Sequence, residues 1–80
     1  MVKMRDLLLQ IVKELVDHPD DVIVKEVVGE RTTVLELKVH QDDIGKVIGR
    51  KGRIINSLRV IIKSAAVKEG KIVSLELLSQ

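Results

Sequence analysis

The stretch Val47-Ile48-Gly49-Arg50-Lys51-Gly52-Arg53-Ile54 constrains this chain more than any other, because two glycines and two adjacent cations interrupt a helical pattern. A branched-aliphatic pair precedes the first glycine, and an apolar stripe of helical spacing follows the second. Glycine permits a tight turn and lets main-chain amides come close to a ligand. A helix opening at the second glycine directs free N–H groups and the positive end of its dipole into that turn. Arg50, Lys51 and Arg53 add full positive charge at the same spot. The segment predicts two helices joined by a turn suited to phosphate.

The rest of the chain arranges itself around that turn. Residues 3–17 place Met4, Leu8, Ile11 and Leu15 on one stripe, widened by Leu7 and Val12, with a helical period. His18-Pro19-Asp20-Asp21 ends that helix, since proline disfavours a helical residue before it. Val22 to Val28 and Thr32 to His40 are rich in β-branched residues and are separated by Gly29-Glu30-Arg31, which predicts a hairpin. Leu35, Leu37 and Val39 alternate with Glu36, Lys38 and His40, so one face of the second strand is buried. Gln41-Asp42-Asp43 offers capping carboxylates to a short helix through Ile44, Val47 and Ile48. A longer helix over residues 53–68 carries Ile54, Ile55, Leu58, Ile61, Ile62 and Ala65 in one sector, with Ala66 at its edge, and Gly70 closes it. Ile72 to Leu78 makes a last strand with Val73, Leu75 and Leu77 on the core face. The order is α-β-β-α-α-β. It implies an α+β fold, three helices on one face of a three-stranded mixed sheet, with the long crossover feeding a parallel neighbour.

Composition narrows the functions available. Eighty residues make one small domain. Without cysteine there is no disulfide, thiolate metal site or cysteine nucleophile. Only His18 and His40 could serve as imidazole ligands or bases, and no neighbour in sequence completes a site for either. No apolar run approaches the roughly 20 residues needed to cross a membrane, and no signal-peptide pattern opens the chain. A cytoplasmic location without membrane attachment follows by default. The net charge of +2 is small, but it is unevenly spread: residues 1–44 carry six Lys/Arg against ten Asp/Glu, residues 45–71 eight against Glu69 alone. Such segregation predicts a basic surface around the glycine turn, although wet helix faces also carry lysine.

With its strand, short helix, Ile-Gly-x-x-Gly-x-x-Ile turn and long helix, the chain resembles the type II KH fold over essentially all 80 residues. Its size further resembles the small bacterial single-KH proteins of the KhpA family. That resemblance implies single-stranded RNA binding in the cytoplasm, an RNA-chaperone role, and pairing with itself or with a KH protein of the KhpB/Jag type. Carried onto this chain, the Gly49–Gly52 loop clamps the backbone of about four nucleotides, with Lys46, Ile48, Arg50, Lys51 and Arg53 around it. The resemblance implies an apolar floor from Ile44, Val47, Ile48 and Ile55 with Leu37 or Val39. It also implies a second wall from the strand Val34 to His40, with the Gly29–Thr32 turn as the variable loop. The absence of Phe, Tyr and Trp argues against binders that stack bases on aromatic rings. Bases would lie on aliphatic side chains, giving modest affinity and weak sequence preference.

Plainer readings compete at several positions. Gly45 reads as a packing contact inside the short helix, or as a ligand contact. Gly49 and Gly52 read as helix punctuation, a use that has no need of Arg-Lys between them. Arg59 and Lys63 read as solvated helix charges. Val60 and Val67 fall opposite the core stripe and are either isolated exposed valines or a subunit contact. A P-loop lacks its Lys-Ser/Thr ending, a dinucleotide fingerprint lacks its first Gly-x-Gly, and no Ser-His-acid or paired-carboxylate set can be assembled. Asp42-Asp43 reads as capping, with at most weak affinity for a divalent ion. No catalytic, cofactor or metal site is expected. The rival function is a protein-interaction subunit of a KH heterodimer, with RNA contact secondary.

Overall fold

A computed structural model describes residues 3–78. Its elements are α1 (Met4–Leu15), β1 (Ile23–Val28), β2 (Thr32–Lys38), α2 (Ile44–Ile48), α3 (Arg53–Lys68) and β3 (Ile72–Leu77), with single 3₁₀ turns at Pro19–Asp21, Gln41–Asp43 and Arg50–Gly52. This is the α-β-β-α-α-β order expected. The sheet order is β1-β2-β3, with β2 central. β1 pairs antiparallel with β2 from Ile23↔Lys38 to Val28↔Thr33, and β2 pairs parallel with β3 from Thr32↔Ile72 to Leu37↔Leu77.

The helices cover one face of this sheet. Leu8, Val12, Leu35, Leu37, Val39, Val47, Ile62 and Ala66 are at most 1% exposed and meet in a core built wholly from aliphatic side chains. Each large one contributes about 1.5–3 kcal/mol relative to exposure. Both helix stripes contain residues of the sequence reading, Leu8 and Val12 in α1 and Ile55, Leu58 and Ile62 in α3, and depart from it at their C-terminal ends. In α1 the buried line is Leu8, Val12 and then Val16, while Leu15 is exposed. In α3 it is Ile55, Leu58, Ile62 and Ala66, so Ala66 lies at the centre and Ile61 on the outside. α3 ends in a Schellman arrangement, Lys71 N–H donating to Ala66 O and Gly70 N–H to Val67 O, both at 2.9 Å.

One side chain decides where α1 stops and α2 starts. Asp43 is fully buried and makes no capping bond to the helix it precedes, contrary to the capping expectation. Its carboxylate instead accepts the Asp17 N–H at 3.2 Å, the His18 N–H at 2.9 Å and His18 Nδ1 at 2.9 Å. With those amides committed to Asp43, α1 ends at Leu15 and Val16 is already extended. Burial pushes the Asp43 carboxyl up, but the His18 hydrogen bond and the two amides together hold it below the usual range. The His18 imidazole is raised, chiefly by that same bond to Asp43, against some desolvation. His40, expected on the wet face of a strand, lies just past β2: its Nδ1 accepts the Asp42 N–H at 3.0 Å and so caps the turn into α2.

Candidate nucleic-acid interface

α2 runs into Gly49, whose φ of 76° and ψ of 174° turn the chain sharply out of the helix. Gly52 has φ 73°, and between them Lys51 sits at φ 56°, ψ 25°, the one non-glycine at positive φ among the described residues. A left-handed L-residue costs on the order of 1–2 kcal/mol, so strain is stored at a residue carrying one of the cations. The two glycines are held for different reasons. A Cβ on Gly49 would fall 2.6 Å from Ile54 Cγ1, whereas one on Gly52 would have nothing nearer than Asn56 Nδ2 at 3.5 Å. Ile54 therefore closes over Gly49 and locks the first turn of α3 against the end of α2.

The electrostatics of this turn are unbalanced. α3 has no side-chain cap at Gly52. Arg50, Lys51 and Arg53 are exposed, and among the described residues none of the three has a carboxylate within ion-pair distance. Three unpaired cations thus crowd the positive end of a 16-residue helix. A bound anion relieves that repulsion and supplies the missing acceptor.

The other expected site residues divide. Ile48, next to Gly49, is 37% exposed, and Ile44, one turn earlier at the start of α2, is half-buried. Val39, Val47 and Ile55 are 1%, 0% and 6% exposed, so they support the loop from within the core and offer no surface to a base. Lys46 is turned away: its ammonium binds the Asp17 carboxylate and lies 3.8 Å from Asp43 Oδ1. The Asp17 bond is the main cause of its raised pKa. Gly45 has no packing role, since a Cβ there would meet nothing within 4 Å.

The expected second wall also needs correction. β2 is the central strand, both its edges are paired, and Leu35, Leu37 and Val39 face the core. The edge lying along α3 belongs to β3. Arg59 bridges the two, its Nε donating to Leu75 O at 3.3 Å, and a cleft of about 230 Å³ lies there, lined by Arg59, Val60, Lys63, Val73, Ser74 and Leu75. The sequence offered one signal for it, the cations Arg59 and Lys63 one turn apart, which read as solvated helix charges rather than ligands. Val60, Ile61 and Val67 are exposed on the outer face of α3.

No helix among the described residues is long and apolar enough to cross a membrane. The profile of the family described as KhpA/KhpB, KH domain matches residues 5–77. The chain is 55% identical over 75 residues to the RNA-binding protein KhpA of Clostridium acetobutylicum, covering 94% of this chain and 100% of the relative. To the KhpA of Clostridium perfringens it is 51% identical, with the same coverage. To that of Chlamydia trachomatis it is 44% identical over 77 residues, covering 96% of this chain and 99% of the relative. Among solved structures, it superposes on Era in complex with MgGDPNP and nucleotides 1506–1542 of 16S ribosomal RNA with TM-score 0.63 at 20% identity, covering 92% of this chain but 28% of that one. An Aquifex aeolicus Era bound to GDP and AlF4⁻ gives TM-score 0.56 at 22% identity, over 96% of this chain and 31% of that one. At such identities Era shares the fold alone. The KH architecture, the profile match and the full-length relatives agree: the chain belongs to the KhpA family of KH-domain proteins.

Proposed function

We propose that the chain is a single KH domain that binds single-stranded RNA, gripping the backbone of about four nucleotides with the Gly49–Gly52 loop, and acts as an RNA chaperone in the cytoplasm rather than as an enzyme. The carrying observation is the uncapped N-terminus of α3 ringed by the unpaired Arg50, Lys51 and Arg53. Relatives named as RNA-binding proteins support the same reading. Ile48 adjoins the loop with Ile44 one turn before it, and bases continue from the loop along the cleft between α3 and β3, past Arg59, Val60, Lys63 and Ser74. Aliphatic walls make the binding permissive in sequence.

Replacing Arg50 and Lys51 together with Asp tests this. Both side chains are exposed in a turn, so melting should not change, while binding of a short single-stranded RNA should be lost. Parent binding should weaken with salt at a log–log slope of about −0.7 per phosphate neutralised. A double variant that binds as the parent does, at the same salt, would remove the loop from the site.

A second reading rests on Val60, Ile61 and Val67, exposed at 63%, 47% and 68%. That face is proposed to pair with a second copy, or with a KH protein of the KhpB/Jag type, so that two weak sites engage one longer RNA. Sedimentation at micromolar concentration should show a dimer that Val67→Asp, outside the cleft, dissociates. A strictly monomeric parent would exclude self-pairing, and intact RNA affinity with lost partner binding would favour an interaction subunit.

A further inference from the structure

The most organised side-chain cluster outside the glycine loop lies at the other end of α2. His18, from the segment after α1, and His40, from the segment after β2, stack ring on ring with centroids 3.9 Å apart and planes 13° apart. One ring nitrogen of each and one carboxylate oxygen of Asp42 all lie within 4.8 Å of one another. His18 lies 22 residues before His40, and the antiparallel β1–β2 hairpin returns the chain so that it meets His40 and Asp42. We propose that His18, His40 and Asp42 form a three-donor binding site for a transition-metal dication of the zinc class.

The donor set selects the ion. Two neutral imidazoles and a carboxylate suit zinc, cobalt and their neighbours, whereas magnesium and calcium take oxygen ligands. Three protein ligands leave a position open for water or an outside ligand. Tetrahedral zinc with bonds of 2.0–2.1 Å holds its donors about 3.4 Å apart. With His18 held by Asp43, the side chains of His40 and Asp42, 35% and 72% exposed, rotate about their own bonds to close the remaining gap without moving the backbone.

A second observation points the same way. A metal-ligating histidine ordinarily gives its other ring N–H to a carboxylate, which fixes the tautomer and aims the ring. His18 has that partner: Nδ1 is 2.9 Å from Oδ2 of Asp43, which is fully buried and pinned by two backbone amides. A neutral His18 donating there keeps the lone pair of Nε2 uncommitted. His40 is the adjustable ligand. Its Nδ1 lone pair now accepts the Asp42 N–H and lies 3.7 Å from Asp42 Oδ2, where a cation placed between them would take both. Asp20, Asp21 and Asp42 line an adjoining cavity of about 470 Å³ with His40 and Gln41, an open and acidic approach for a cation. Lys46 offsets part of that field, but it is engaged with Asp17.

The test is titration of the full chain with Co²⁺ as a spectroscopic probe, with Zn²⁺ and Mg²⁺ as competitors, in the parent and in His40→Gln and Asp42→Asn. Neither substitution touches the bonds of Asp43. The expected result is saturable uptake of one Co²⁺ with the visible absorption of a four- or five-coordinate ion, displaced by Zn²⁺ and not by Mg²⁺. Each variant should weaken it at least about tenfold. In the parent, Zn²⁺ should raise the melting temperature by mass action and shift both imidazole nitrogen resonances. Absence of saturable uptake, equal uptake by His40→Gln, or displacement by Mg²⁺ as effective as by Zn²⁺ would each overturn the proposal.

Discussion

The two ends of α2 are built on opposite principles. Its exit is encoded locally: Gly49 and Gly52 supply backbone geometry that other residues resist, and the charges there are exposed and unpaired. Its entrance is held at long range by Asp43, a buried carboxylate whose three partners lie 25 or 26 residues earlier in the chain. The exit is basic and left unsatisfied, the entrance acidic and fully satisfied. A short helix of five residues has little stability of its own. The contrast shows how it is nonetheless positioned, with one end anchored by hydrogen bonds so that the other can carry strain and charge for a ligand.

Removing the anchor should have the largest effect. Asp43→Ala strands two backbone donors and the His18 ring at once, so the melting temperature should fall by about 10 °C or more. Asp43→Asn, which keeps an acceptor, should fall less. If Asp43→Ala melts within a degree or two of the parent, the entrance is not the anchor described here.

At the exit, the two glycines should respond unequally. Ala at position 52 meets a left-handed penalty of about 1–2 kcal/mol, whereas Gly49, at ψ 174°, holds a backbone conformation essentially confined to glycine, at a cost of about 1–3 kcal/mol. At position 49 overpacking against Ile54 adds to it, for a total of about 3 kcal/mol in urea unfolding. Equal costs for Gly49→Ala and Gly52→Ala would mean that neither the backbone at Gly49 nor Ile54 resists a side chain there, and the lock is absent.

Acidity separates the ends further. His18 is raised above its ordinary 6.5, so its share of stability is complete below pH 6.5 and is lost as pH climbs through the raised value. Asp43 is lowered beneath its ordinary 3.8, so its share is complete above pH 3.8 and is lost as pH falls through the lowered value. The pair therefore supports the fold best between those limits. Melting temperature should decline from mildly acidic to alkaline pH in the parent and decline less in His18→Gln. A parent curve parallel to that variant's would separate His18 from the anchor.

The smallest effect is expected in the middle of the helix. Gly45→Ala enters open space at ordinary backbone angles. It should stabilise the free protein by up to about 1 kcal/mol. A simultaneous loss of RNA affinity would place Gly45 on the ligand face, and unchanged affinity would leave it there for neither reason.

What could be read in advance follows the same division. The glycine turn, the hairpin between Val28 and Thr32, the alternation of Leu35, Leu37 and Val39, and the stop at Gly70 rest on signals from adjacent residues, and the structure contains each of them. Asp43 looked like a helix cap because Asp before a helix usually is one. Nothing nearby reveals that Asp17 and His18 will be folded back onto it. Lys46 looked available for the same reason, since its partner Asp17 lies beyond the whole hairpin. Strand content and the mixed pairing were legible, and which edge of the sheet stays open was not. A parallel crossover places β3 on the free side of β2, which moves the open edge, and with it the cleft beside α3, to a different strand. The exchange of Leu15 for Val16 and of Ala65 for Ala66 at the ends of the stripes has a related cause, because the rotation of a helix is set by the sheet it meets.

The parallel pairing of β2 with β3 also orders events in time. β1 and β2 are joined by a tight turn and can zip together from neighbouring residues, but β3 pairs with residues 40 positions earlier, Thr32 with Ile72 through Leu37 with Leu77. Closing so long a loop is entropically slow until α2 and α3 have shortened it. The hypothesis that follows is a polarised folding transition state, with the hairpin formed and the last strand still loose. Conservative truncations should then give high φ-values at Val24 and Leu37 and low ones at Val73, and high values at Val73 would contradict it. Until β3 docks, the free edge of β2 is a place where a second unfolded copy can pair. The rate at which the glycine turn brings α3 home thus sets how long the chain is exposed to misassembly.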